Sequence, residues 1–211
     1  MNRNEPQKEG LLIVLSGPSG SGKGTIIKSL LAMRDDTVLS VSMTTRAPRP
    51  GEVEGVHYYF RTREEFEQTI ENDGFLEYAE YNGNYYGTPE APIRRWLSEG
   101  KHLILEIEVQ GAEKVMNHRA DLVSIFITIP SIEELERRLR DRATETEEKI
   151  RGRMATARAE LTRAFRYQYV VLNDEVDLAV RRINTIIEAE SMRYPRMENT
   201  VLEVLNDVST K

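Results

Sequence analysis

The chain contains no cysteine. That excludes disulfides, thiolate metal sites and a cysteine nucleophile, and it fits a reducing compartment. Long hydrophobic runs are missing too. The first apolar stretch, Leu11 to Leu15, spans five residues, and no later one approaches the ~20 that a membrane helix needs. The first ten residues are polar and hold no apolar signal core. Nor is there an excess of basic residues: the formal net charge of −6 argues against a general nucleic-acid or anionic-membrane binder. An anionic ligand must then be held by local clusters, because distant charges are screened beyond about 8 Å at physiological salt. The three histidines, His57, His102 and His118, are isolated and form no ligand or acid–base constellation. Repeats and low-complexity segments are absent.

Of the 211 residues, 39% are hydrophobic and 30% charged, enough to bury one domain-sized core and too apolar for a disordered tail. The expectation is a soluble, cytoplasmic α/β protein. Leu11 to Leu15 reads as a buried strand that runs through a glycine-rich segment into Ile26, Ile27, Leu30 and Leu31 at helical spacing. Further strands are expected at 38–41, 56–61, 75–81, 103–107, 122–129 and 169–172. Helices are expected at 62–72, 89–99, 132–140, 144–165 and 175–192. Thr62 and Glu65 form a capping-box pattern, and Asn82-Gly83-Asn84 is a turn signal. Pro195 is expected to break the chain before a short terminal helix at 201–208. Strands alternating with helices imply a doubly wound parallel sheet with ligands at the carboxyl ends of its strands. Prolines and glycines between Ser42 and Gly55 interrupt that pattern. Residues 42–89 therefore read as a small strand-rich insertion into a core of residues 1–41 and 90–211.

Gly17, Pro18, Ser19, Gly20, Ser21, Gly22, Lys23, Gly24 and Thr25 follow the first strand and open the first helix. The spacing Gly17-x-x-x-x-Gly22-Lys23 is that of a phosphate-binding loop. Its glycines let successive backbone N–H groups face an anion, the helix adds its positive end, and Lys23 adds a point charge. The bland alternative is a glycine-rich turn that binds nothing. Gly24 stands where the general pattern has Ser or Thr, so a hydroxyl directly on Mg²⁺ is not provided. The ion would sit mainly among waters and phosphate oxygens.

Several segments carry a family resemblance. They are Ser42-x-Thr44-Thr45-Arg46-x-Pro48-Arg49-x-Gly51-Glu52, Gly55-x-x-Tyr58-x-Phe60, Phe75-Leu76-Glu77 and Gly83-Asn84-Tyr85-Tyr86-Gly87-Thr88. Glu106-Ile107-Glu108-Val109-Gln110-Gly111, Arg142 to Glu148 and Asn173-Asp174 complete the set. In this order they resemble the guanylate kinases, over most of the chain. The Gly-Lys-Gly-Thr element is similar to that of nucleoside monophosphate kinases. The resemblance implies a P-loop core that binds ATP with Mg²⁺, a GMP-binding subdomain at 42–89 and a helical lid near 141–153. It implies transfer of the ATP γ-phosphate to GMP or dGMP, by a monomer or homodimer. By motif, Ser42, Glu77 and Thr88 would face the guanine, and Arg46, Arg49, Tyr58 and Tyr86 would hold the GMP phosphate. Glu106 and Glu108 would serve near the acceptor and the metal, Glu106 through water. Arg138, Arg142 and Arg153 would act with Lys23 and Arg46 around the transferred phosphoryl group, and Asn173 would border the adenine. The pattern often has Asp at 106 and 108 and Gly at 143, where this chain has Glu, Glu and Ala.

The residue chemistry supports this independently. Guanine offers N1–H and N2–H₂ as donors, which one carboxylate can accept together, while a hydroxyl donates to O6. Adenine would leave that carboxylate facing a lone pair, a mismatch worth a factor on the order of 10⁴. Glu77 is either that carboxylate or a solvated strand-end charge. Arg46 and Arg49 are either forked phosphate donors on a Pro-stiffened loop or solvated arginines. Tyr58 and Tyr86 either donate to a phosphate or pack as rim aromatics. On one strand, Glu106 and Glu108 would share a face, toward ligand or as an edge-strand acidic surface. Arg137, Arg140 and Arg151 fit solvated helix pairs, Glu147 with Arg151 among them. Two rivals stay open: a related P-loop kinase with another acceptor, and a non-catalytic phosphopeptide-binding module. The intact loop counts against the second.

Overall fold

A computed structural model describes residues 9–81, 83–141 and 146–209. The chain runs β1 (Leu12–Ser16), α1 (Lys23–Met33), β2 (Thr37–Leu39), β3 (Met43–Thr44), β4 (Tyr59–Phe60) and α2 (Arg63–Glu71). It continues with β5 (Phe75–Tyr81), β6 (Asn84–Pro89), α3 (Glu90–Ser98), β7 (His102–Glu106), α4 (Val109–His118) and β8 (Leu122–Thr128). Then follow α5 (Ile132–Arg140), α6 (Glu147–Leu161), β9 (Tyr169–Leu172), α7 (Val176–Ser191) and α8 (Tyr194–Ser209).

Five strands pair in the order β2-β7-β1-β8-β9, every pair parallel. β1 is central and wholly buried, which is why it reads as an unbroken apolar run. Alternate residues serve opposite faces. Leu11, Ile13 and Leu15 pack with Ile26 and Leu30 of α1 and Ile183 and Ile187 of α7. Leu12 and Val14 pack with Ile93 and Leu97 of α3 and Val115 of α4. Burial on this scale stabilises by about 1.5–3 kcal/mol per large aliphatic side chain. A third cluster joins Leu135 and Leu139 of α5 to Ile150, Met154 and Ala157 of α6. The sheet is thus doubly wound, as the alternation of elements implied.

A second sheet, β4-β3-β6-β5, is built from the interrupting segment. α2 begins with the expected capping box: Thr62 Oγ1 accepts from Glu65 N at 3.2 Å, and Thr62 N donates to Glu65 Oε2 at 2.8 Å. Its buried Phe66 stacks on Phe75 at 4.3 Å and Tyr85 at 5.1 Å between ring centroids. These rings close the small core under β5 and β6.

Some expectations need correction. Residues 109–118 form α4, which no expected helix covered. β7 ends at Glu106, and Glu108 is the residue before α4, with φ −70° and ψ 158°. The two carboxylates therefore do not share one strand face, and β7 is an interior strand rather than an edge. The strand expected at 56–61 shrinks to Tyr59–Phe60. Pro195 does separate α7 from a terminal helix, but it lies in the first turn of α8, where a missing N–H is tolerated. That helix covers sixteen residues rather than eight. The start of the expected 144–165 helix lies outside the described residues; α6 opens at Glu147, capped by Thr146.

His102, at the start of β7, is tied into the core sheet. Its Nδ1 accepts from Leu11 N at 3.0 Å, and its Nε2 lies 3.7 Å from Asp36 Oδ2. Burial holds its pKa below the ordinary value, with Arg34 and Arg196 adding to the effect and Asp36 opposing it. The folded chain therefore prefers the neutral ring, and the unfolded chain takes up the proton first. This contribution is complete above about pH 6.5 and is lost as the pH falls toward the depressed folded value. Melting temperatures between about pH 7 and pH 5 should fall less steeply for His102→Gln than for the parent. Parallel curves would contradict the assignment.

Candidate active site

The loop between β1 and α1 takes its shape from left-handed glycines. At Gly22, φ is +91°, and a Cβ would lie 2.4 Å from Asn173 Nδ2. At Gly17, φ is +146°, and a Cβ would strike Ile127 O at 2.2 Å. Side chains are excluded at both positions, and the backbone can curl tightly over the ends of β1 and β8. Asn173, just past β9, braces the loop: its buried Nδ2 donates to Ser21 O at 2.7 Å. Arg138 of α5 reaches the same point, with Nη2 donating to Asn173 O at 3.0 Å and Nε to Glu134 Oε1 at 2.7 Å. Glu134, bonded to Arg137 and Arg138, is held down to about 2. Lys23 Nζ donates to Gly17 O at 2.6 Å and Pro18 O at 3.2 Å, so its ammonium is folded over the loop.

The loop forms one wall of a cleft of about 1070 Å³, large enough for a nucleotide. Gly24 and Thr25 line it beside Lys23, and Glu106 and Glu108 line it from the carboxyl end of β7. Tyr58 reaches it from the second sheet. Opposite, α6 presents Lys149, Arg153, Thr156 and Glu160 along one face. Burial raises the Glu160 pKa, with Glu108 adding to the rise; Lys23 and the Ser19 N–H oppose it.

The remaining expected residues lie on or beside the second sheet and do not themselves line this cleft. Thr88 is buried on β6, and its Oγ1 donates to Glu77 Oε1 at 2.8 Å across the β5–β6 pair. Burial pushes the Glu77 carboxyl up, and Thr88 and Lys114 pull it part of the way back. Ser42 is half-buried just before β3. Arg46 binds both Glu52 oxygens through Nη2, at 2.8 and 3.0 Å, and lies 5.5 Å from the Tyr58 ring centroid. Tyr86 sits edge-on to Tyr58 at 6.1 Å and contacts Arg46. Arg49 is exposed, with its backbone N–H donating to Glu52 Oε2 at 2.7 Å. Arg142 lies outside the described residues.

The structure thus brings the loop, Glu106, Glu108, Tyr58 and Arg153 to one cleft. Arg46, Tyr58 and Tyr86 form a second cluster, and Glu77 and Thr88 a third. Asn173 and Arg138 stand behind the loop rather than in the cleft. Sequence reasoning missed two carboxylates. Glu52 neutralises Arg46; the signal was its place six residues on, in the same turn-rich segment. Glu160 gave no signal, because one acid in a charged helix reads as solvated.

Among the described residues no three His, Cys, Asp or Glu side chains gather closely enough to cage a metal ion. Glu106 and Glu108 do offer hard oxygen acceptors beside the loop, which suits a hydrated Mg²⁺ brought in on phosphate and not a dedicated protein cage. No helix among the described residues is long and apolar enough to cross a membrane.

A doubly wound parallel core, a braced phosphate loop after its central strand and a cationic helix across the cleft define a P-loop kinase. A family model described as guanylate kinase matches residues 9–190. The chain is 50% identical over 207 residues to a guanylate kinase of Clostridium perfringens, covering 98% of this chain and 96% of that one. It is 52% identical over 191 residues to one from Halalkalibacterium halodurans, covering 90% and 94%. The crystal structure of guanylate kinase from Anaplasma phagocytophilum superposes with a TM-score of 0.69 at 38% identity, covering 90% of each chain. The chain belongs to the guanylate kinase family.

Asn173→Ala should remove the loop's brace and leave Ser21 O without its donor. The expected cost is about 1–3 kcal/mol of unfolding free energy, together with weaker ADP binding. Denaturant titration and calorimetry read the two effects; a variant unchanged in both would contradict the brace.

Proposed function

We infer that this chain performs the family's reaction, ATP plus GMP giving ADP plus GDP, through two separately built anion sites. Residues 1–41 and 90–211 form the ATP-binding core, residues 42–89 take GMP, and the segment near 141–153 acts as a lid. The observation that carries the reading is the Glu77–Thr88 pair. Thr88 occupies Oε1 and leaves Oε2 as an acceptor, which suits the N1–H and N2–H₂ edge of guanine. Ser42 supports it as a hydroxyl donor for O6. dGMP, which presents the same base edge, is accepted alongside GMP.

ATP places its phosphates against the loop and the positive end of α1. Its phosphate oxygens take over the Lys23 ammonium from Gly17 O and Pro18 O. The GMP phosphate competes with Glu52 for Arg46 and gains Arg49, Tyr58 and Tyr86. Charge-assisted forks of this kind are among the stronger polar contacts. Arg153 from α6, Arg138 behind the loop and Arg142 spread the negative charge of the phosphoryl group in flight. Glu106 and Glu108 would hold a hydrated Mg²⁺ arriving with the ATP phosphates, and that ion would supply charge neutralisation. Closure of lid and insertion excludes water, so that the acceptor is a GMP oxygen and not solvent. No covalent enzyme intermediate is required. The partners are small molecules, and the reaction belongs to purine nucleotide metabolism in the cytoplasm.

An ADP-release assay over a panel of acceptors tests this reading. GMP and dGMP should turn over well ahead of AMP and dTMP, by a factor on the order of 10⁴ for AMP. Lys23→Ala should lower kcat by on the order of 10²-fold or more while its far-ultraviolet spectrum stays native. Comparable rates across the panel, or near-parental turnover of Lys23→Ala, would refute it.

A further inference from the structure

α4 packs against β1 of the core and against β5 of the second sheet. Gly111 is its third residue. Nothing in the backbone asks for glycine there. It is helical and not left-handed, and a Cβ built on it meets no backbone atom within 4 Å outside its own helix. Alanine would be the better helix former at this position. The atoms a Cβ would meet are Glu77 Oε2 at 3.6 Å, Ile107 Cβ at 3.9 Å and Glu77 Cδ at 4.0 Å. The missing side chain therefore leaves room beside one functional group, a carboxylate that comes from a different sheet.

The two Glu77 oxygens differ. Oε1 is used by Thr88 at 2.8 Å, whereas Oε2 receives no hydrogen bond among the described residues. Lys114, one helical turn beyond Gly111, attracts the carboxylate electrostatically, while its Nζ contacts Tyr78 O at 3.5 Å. Oε2 is thus the acceptor left for a ligand, and beside it α4 presents Gly111, which carries no side chain.

We propose that Gly111 is a specificity-determining residue: carrying no side chain, it keeps Glu77 Oε2 open to the donor edge of a 2-amino-6-oxopurine. This rests on the reading of Glu77 as the guanine-facing group. A methyl group at van der Waals distance from Oε2 strips water from it and narrows the slot through which N1–H and N2–H₂ approach. Room for one methylene or methyl group in a shaped pocket is commonly worth about 10–200-fold in discrimination.

The test is Gly111→Ala in the full-length enzyme, with Gly111→Ser as a second variant. GMP binding by calorimetry, KM for GMP and for ATP, and the melting temperature are measured. GMP Kd and KM should rise about tenfold or more, with KM for ATP within about twofold of the parent and the melting temperature equal or higher. Parental GMP affinity in either folded variant would overturn the proposal. So would a lowered melting temperature in both, which would make Gly111 a packing glycine. Glu77→Gln separates the two layers. If it retains the preference for GMP over AMP, the guanine-reading role itself fails. If it loses that preference while both Gly111 variants bind GMP normally, only the present inference fails.

Discussion

A chain with an excess of acidic residues that handles two phosphorylated nucleotides must concentrate positive potential where it is needed. The loop after β1 can curl as it does only because Gly17 and Gly22 stand where no Cβ fits, against Ile127 O and the Asn173 amide. Asn173 lies 152 residues beyond Ser21 in sequence, yet its donor to Ser21 O locks the curl. Arg138 seals the arrangement by binding Asn173 O. The shape of the loop is thus a property of the central sheet: β1 supplies the approach, β8 the wall and the end of β9 the brace.

The second sheet meets a different electrostatic problem. It holds a carboxylate half-buried without pairing it fully. Glu77 is given one hydroxyl donor and one distant ammonium, enough to oppose its desolvation in part but not to saturate it. The Arg46–Glu52 pair shows the same arrangement with the sign reversed: Glu52 holds the guanidinium in place, where the proposed phosphate would compete for it. Both groups are only partly satisfied within the protein, which is what the proposed nucleotide sites require.

Much of this was legible in the residues, and the gaps have physical causes. The loop could be read because glycine spacing and lysine position are backbone requirements, local in sequence. The α2 capping box and the buried β1 run could be read for the same reason. α4 was not, although Val109, Ala112 and Val115 have helical spacing, because the acidic residues just before it and Gly111 in its first turn read together as a ligand motif and hide the period. That Glu108 leaves the strand follows from where β7 ends, which pairing with β1 decides and composition does not. The terminal helix was underestimated because Pro195 marks a helix start as readily as a stop. The brace role of Asn173 and the pairing of Arg46 with Glu52 depend on which side chains meet in space, and spacing alone does not reveal that.

The central claim is that the two anion sites are distinct and can be filled together. Calorimetric titration of GMP into the enzyme already saturated with ADP addresses it most directly. The account predicts one-to-one GMP binding with no ADP displaced, and loss of the GMP signal alone in Glu77→Gln. Displacement of ADP by GMP, showing that both compete for the loop, would contradict it.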